Sequence, residues 1–87
     1  MKYLVKLTPS AKKELDKIPG EYKNKVLNAL FWLEKDPFAG KKLHGKFKNY
    51  YSWKVWPYRI IYRIFKNELL IFVVAIGHRQ GIYKRGI

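Results

Sequence analysis

Apolar and polar positions along this 87-residue chain change period from one stretch to the next. Lys2–Leu7 alternates, with Tyr3, Val5 and Leu7 set against Lys2, Leu4 and Lys6, the two-residue period of a short strand with one well-buried face. Thr8-Pro9 supplies a helix N-cap followed by a first-turn proline. Ala11, Leu15 and Ile18 then recur at i, i+4 and i+7 among charged neighbours, predicting a helix that Pro19-Gly20 ends. Glu21–Lys35 predicts a second helix, its apolar stripe made by Tyr22, Val26, Leu30 and Leu33 and widened by Leu27 and Phe31. So short a link predicts a helical hairpin. Asp36-Pro37 closes the second helix, because a residue before proline avoids the helical region, and Phe38 to Gly45 reads as a loop.

The rest has strand character. Tyr50–Val55 and Tyr58–Phe65 alternate, while Leu69–Ile76 is apolar throughout and reads as a central strand covered on both faces. Lys66-Asn67 is a tight link. The expected architecture is α+β: an N-terminal strand, a two-helix hairpin, then a three-stranded antiparallel meander in one curved sheet with the helices on one face. Pairing Val55 with Tyr58 across Trp56-Pro57 sets Lys54 opposite Arg59, Trp53 opposite Ile60, Ser52 opposite Ile61 and Tyr51 opposite Tyr62. Cross-strand partners share a face. Tyr51, Trp53, Val55, Tyr58, Ile60, Tyr62 and Ile64 then form the core side, and Tyr50, Ser52, Lys54, Arg59, Ile61 and Arg63 the other. A trans proline is disfavoured at the second central turn position, which leaves a longer turn or a shifted Tyr58 open.

Charge changes the picture. The chain carries 19 Lys and Arg against 6 acids, a net +13. Residues 1–36 hold +3 of this and residues 37–87 the other +10, together with eleven of the fifteen aromatics. Self-repulsion on this scale opposes compaction. A well-hydrated surface is the plainer explanation, but the asymmetry argues for a polyanionic partner. A chain of this length makes one domain, residues 1–87, with a single small core. The longest apolar run, Leu69–Ile76, is far short of the roughly 20 residues of a membrane span, and the N-terminus lacks a signal-peptide core. A soluble cytoplasmic protein without membrane attachment is expected. With no Cys, two His and six acids, no metal or cofactor is expected.

Candidate chemistry follows from these placements. Two cations directly opposite each other destabilise a sheet, so Lys54 against Arg59 points to an anion between them. After the last strand comes Gly77-His78-Arg79-Gln80-Gly81-Ile82-Tyr83-Lys84-Arg85. His, Arg and Tyr offer a titratable group, a fixed cation and a flat ring, enough to hold a nucleotide and move protons near a phosphodiester. A surface histidine and a packed C-terminal tyrosine are the plainer alternatives. An ordinary histidine releases its proton near pH 6.5 and an ordinary lysine near pH 10.4, so residue type alone favours His78 over Lys54 as a base.

Three runs in series carry a family resemblance. Asp36-Pro37-Phe38-Ala39-Gly40-Lys41-Lys42-Leu43-His44-Gly45, Tyr58-Arg59-Ile60-Ile61-Tyr62-Arg63-Ile64, and Ile76-Gly77-His78-Arg79 with Ile82-Tyr83 resemble the RelE/ParE superfamily of prokaryotic toxins, closest to the RelE branch. The resemblance implies a type II toxin that cuts mRNA on the ribosome without a metal, by attack of the ribose 2′-OH on the adjacent phosphate. It implies that Lys54 helps activate the 2′-OH, Arg59 stabilises the phosphate, Arg79 stands near the leaving oxygen, Tyr83 stacks on the nucleotide, and His78 serves as acid or base. Lys41, Lys42, Lys46, Lys48, Arg63, Lys84 and Arg85 are expected to grip RNA. The implied partners are the ribosome, mRNA and a cognate acidic, RelB-like antitoxin. Two departures stand out: Ser52 where relatives often carry a second basic residue, and Trp56-Pro57 where many carry Gly-Asp. A ParE-like gyrase poison and a non-catalytic basic RNA-binding domain are the alternatives.

Overall fold

The structure, a computed structural model, describes residues 2–78, 81 and 82. Strand β1 (Leu4–Leu7) leads into helix α1 (Pro9–Lys17), which the Thr8 side chain caps by accepting the Ala11 N–H at 3.1 Å. Helix α2 (Gly20–Lys35) follows immediately. A 3₁₀ turn at Pro37–Ala39 leads to a two-residue strand, β2 (Lys41–Lys42), and a second such turn spans Gly45–Phe47. Strands β3 (Tyr51–Val55), β4 (Tyr58–Phe65) and β5 (Leu70–His78) complete the chain's regular structure.

The five strands form one sheet in the order β1-β5-β4-β3-β2. The meander β3-β4-β5 is antiparallel as expected, and the β3–β4 register is the expected one from Tyr51↔Tyr62 to Val55↔Tyr58. The Trp56–Pro57 peptide is cis, the geometry in which proline occupies the second central position of a turn. Two pairings add to the expectation. β1 joins the far edge parallel to β5, and Lys41-Lys42, read as loop from sequence, pairs with Ser52 and Tyr51 at the other edge. Two residues are too few to show a period, so no pattern could announce that strand.

Both helices cover one sheet face. Ala11, Leu15 and Ile18 of the first stripe and Val26, Ala29, Leu30 and Leu33 of the second close over Ile60, Tyr62, Ile71, Val73 and Ile76. All seven residues assigned to the core side of the β3–β4 hairpin belong to this cluster or pack against it. Two expectations need correcting. Phe31 does not widen the buried stripe: it is 64% exposed, and Ala29 takes the inner position. Among the described residues, the helix-free face of strand β5 is covered only in part. Ile71, Val73 and Ile76 are buried, whereas Leu70, Phe72 and Ala75 are only half-buried, because helices lie on one side alone. No described helix is long and apolar enough to cross a membrane.

Candidate nucleic-acid interface

The helix-free face can be read row by row, since paired residues on neighbouring strands point the same way. Lys54 of β3 pairs with Arg59 of β4, and Gly77 of β5 follows in the same row. The next same-facing row runs Lys41, Ser52, Ile61 and Ala75. A bulge between Ile61 and Tyr62 lets Val74 drop out of the ladder without disturbing the faces, and the following row runs Arg63, Phe72 and Lys6. Lys41, Lys54, Arg59, Arg63 and Lys6 therefore share one face of the sheet, away from the helices.

Their local contacts are specific. Arg59 is half-buried, and its Nη1 donates to Ser52 Oγ at 3.5 Å. Lys54 is exposed, with its ammonium 5.6 Å from the centre of the Trp56 ring. The Arg63 guanidinium lies 5.6 Å from the Tyr50 ring and 5.0 Å from the Phe65 ring. The ion pairs between described residues, Lys2–Glu34, Lys17–Glu14 and Lys23–Asp16, all belong to the N-terminal part of the chain. Among the described residues no carboxylate forms a salt bridge with the cations of this face. Like charges held side by side with no internal counter-charge make a surface that attracts anions.

The basic loop is anchored from beneath. Tyr62, fully buried, donates its hydroxyl proton to the Pro37 carbonyl at 2.8 Å and accepts the Gly40 N–H at 3.2 Å. Burial pushes the Tyr62 phenol up from about 10 to about 12. A Cβ on Gly40 would collide with the Tyr62 hydroxyl, so only glycine permits this approach. The latch ties the segment before Lys41 and Lys42 to the sheet. Lys41, Lys42, Lys46 and Lys48 are all exposed, with Lys46 5.2 Å from the centre of the Phe47 ring.

His78 stands apart from Lys54 and Arg59. It pairs with Tyr58, one position beyond the Arg59 row, which turns its side chain to the helix side. Its ring meets Tyr58 edge-on at 6.0 Å, and Tyr58 in turn meets Tyr22 of α2 at 5.9 Å. A cavity of about 280 Å³ beside it is lined by Glu14 of α1, Gly77, Gly81 and Ile82. The geometry thus joins Lys54 with Arg59 and separates both from His78. Arg79, Tyr83, Lys84 and Arg85 lie outside the described residues. The face is also not open throughout: Ile61 is fully buried and Ser52 nearly so. Sequence periodicity missed Lys6, which reaches this face only through the parallel β1–β5 pairing.

Comparison with known proteins bears on the family and the fold. The model of the family described as the ParE toxin of type II toxin–antitoxin system, parDE, matches residues 5–83. The chain is 30% identical to toxin RelG of Mycobacterium tuberculosis, over 98% of this chain and all of that one. Among solved structures, the M. tuberculosis toxin–antitoxin complex RelBE2 matches with a TM-score of 0.85 at 27% identity, covering 91% of this chain and 100% of the matched one. The archaeal RelE–RelB complex of Pyrococcus horikoshii matches at 0.78 and 24% identity, covering 91% and 97%. A mutant of E. coli toxin RelE in the free state matches at 0.79 and 19% identity, covering both chains fully.

Proposed function

We propose that this chain, which belongs to the RelE/ParE toxin family of type II toxin–antitoxin systems, is an endoribonuclease that cuts mRNA on the ribosome. Membership makes it a toxin with an antitoxin partner, as the solved toxin–antitoxin complexes of its relatives support. The finer reading rests chiefly on one observation: Lys54 and Arg59 face each other on the helix-free side of the sheet, with no carboxylate bridging to either among the described residues.

In the proposed reaction the ribose 2′-hydroxyl gives up its proton to water as its oxygen attacks the adjacent phosphorus, the bond to the 5′-oxygen breaks, and the departing 5′-oxygen takes up a proton. The products are a 2′,3′-cyclic phosphate and a 5′-hydroxyl end. Negative charge accumulates on the phosphoryl oxygens at the transition state. Arg59, steadied by Ser52, takes that charge through its planar fork of donors. Lys54 lies in the same row and favours the developing charge on the attacking oxygen. Each such contact is worth about 10²–10³ in rate. Family resemblance adds Arg79 at the leaving oxygen and Tyr83 against the nucleotide. Lys41, Lys42, Lys46, Lys48, Arg63, Lys84 and Arg85 supply sequence-independent grip on RNA. An acidic antitoxin would cover the same cations and switch the toxin off.

The matching family's description names ParE, so gyrase poisoning is the second reading. One experiment separates them. Purified toxin is added to ribosomes programmed with a defined mRNA, cuts are mapped by primer extension, and gyrase with supercoiled plasmid is run in parallel. Cuts within ribosome-bound mRNA leaving 5′-hydroxyl ends, with plasmid intact, are expected. Intact mRNA with gyrase-linked plasmid breaks would overturn the ribonuclease reading in favour of the second.

A further inference from the structure

We infer that Trp56 is a nucleobase-stacking platform, against which one base of a single-stranded RNA lies flat while neighbouring phosphates meet Lys54 and Arg59. The inference deepens the ribonuclease reading and rests on it for RNA being the substrate. Trp56 occupies the tip of the β3–β4 hairpin and is 55% exposed. A single exposed apolar side chain needs no explanation by itself. Three further features give this one a role.

First, the tip is fixed. Val55 and Tyr58 pair directly across Trp56-Pro57, so a turn of only two residues carries the indole on a closed ladder. Second, the Lys54 ammonium lies 5.6 Å from the ring centre, and Lys54 faces the helix-free side. The indole therefore sits beside the Lys54–Arg59 row and not among the core aromatics. Third, the pairing of cation with ring recurs along the same face. Arg63, four residues from Arg59 and so about 13 Å along the strand, is flanked by Tyr50 and Phe65. A face that alternates cations with flat rings matches single-stranded nucleic acid, whose phosphates and bases alternate likewise. An acidic peptide would satisfy the cations but does not carry a flat ring beside every charge, as a single-stranded nucleic acid does.

The test uses the full chain and an uncleavable probe, a fluorescently labelled 2′-O-methyl RNA oligonucleotide, with binding read by anisotropy. A fully abasic oligonucleotide of the same length and charge is the control. Trp56→Leu is expected to weaken binding to the base-bearing probe on the order of tenfold. Trp56→Phe should restore most of that loss. The wild type should discriminate between the two probes, and Trp56→Leu should discriminate much less, with its salt dependence unchanged because no charge is removed. Equal binding by wild type and Trp56→Leu would overturn the inference. So would an equal loss on both probes, which would mark Trp56 as a prop for the backbone contacts. Trp56-dependent binding of an acidic peptide alone would reassign the tip to a protein partner. The two proposals fail separately. Base-dependent binding without mRNA cleavage sinks only the ribonuclease reading, and cleavage without base-dependent binding sinks only the platform.

Discussion

Tyr62→Phe isolates the latch beneath the basic loop. The phenyl ring fits the same space and keeps its stacking on Tyr51, whose ring centre lies 5.6 Å away. What is lost is one oxygen that serves two partners, the Pro37 carbonyl at 2.8 Å and the Gly40 N–H at 3.2 Å. Leaving buried backbone groups unpaired costs about 1–3 kcal/mol. For a domain of this size each kcal/mol lowers Tm by about 4–8 °C, so a fall of roughly 8–16 °C corresponds to a mid-range loss of about 2 kcal/mol. The phenol adds a pH signature. Its ordinary value is 10 and burial raises it to about 12 in the folded protein. Below pH 10 both states hold the proton, and the contribution is fully present. Between pH 10 and 12 the unfolded chain releases a proton that the folded one keeps, so wild-type stability falls as pH rises, by about 2 kcal/mol at pH 12. Phenylalanine has no such proton. Urea unfolding of both proteins from pH 8 to pH 12 should therefore show a gap of about 2 kcal/mol at pH 8 that closes toward pH 12. The other titrating groups are common to both proteins and cancel in the difference. A gap that stays constant across the range would refute the sealed phenol, and no gap at pH 8 would refute the latch.

Other consequences follow from single contacts. Thr8→Ala removes the acceptor of the Ala11 N–H and should cost about 1 kcal/mol in chemical denaturation, with RNA cleavage per folded molecule unchanged. Replacing Lys41, Lys42, Lys46 and Lys48 together by Gln should reduce the log–log salt slope of single-stranded RNA binding by about 3; an unchanged slope would place the RNA elsewhere. Because His78 turns to the helix side with Tyr58, His78→Ala should leave the cleavage rate of ribosome-bound mRNA within several-fold of wild type; a loss of a hundredfold would contradict the face assignment.

Much of this fold was legible from local pattern. Thr8-Pro9 marks the helix start, the Ala11, Leu15, Ile18 stripe is buried as spaced, and the Val55–Tyr58 pairing set the register that brings Lys54 to Arg59. What escaped depends on long-range pairing. Lys41-Lys42 becomes a strand only because Ser52 and Tyr51 are there to receive it. Lys6 reaches the cationic face because β1 lies parallel to β5, a choice its own four residues do not encode. His78 shows how sharp the limit is. Sequence placed it at the sheet rim correctly, but one residue of register decides the face, and it falls on the side opposite Arg59. The alternation puts Tyr62 in the core as an apolar ring, but its hydroxyl's two partners, 22 and 25 residues away, leave no mark in the local pattern.

The central claim is that the Lys54–Arg59 row is where RNA is cut. Single-turnover cleavage of ribosome-bound mRNA by wild type, Arg59→Ala and Arg59→Lys, each first shown to unfold at the same temperature, tests it most directly. The account predicts a fall of about 10²–10³ for Arg59→Ala, with partial recovery for Arg59→Lys, which keeps the charge but not the planar fork. Wild-type cleavage by a folded Arg59→Ala variant would contradict it.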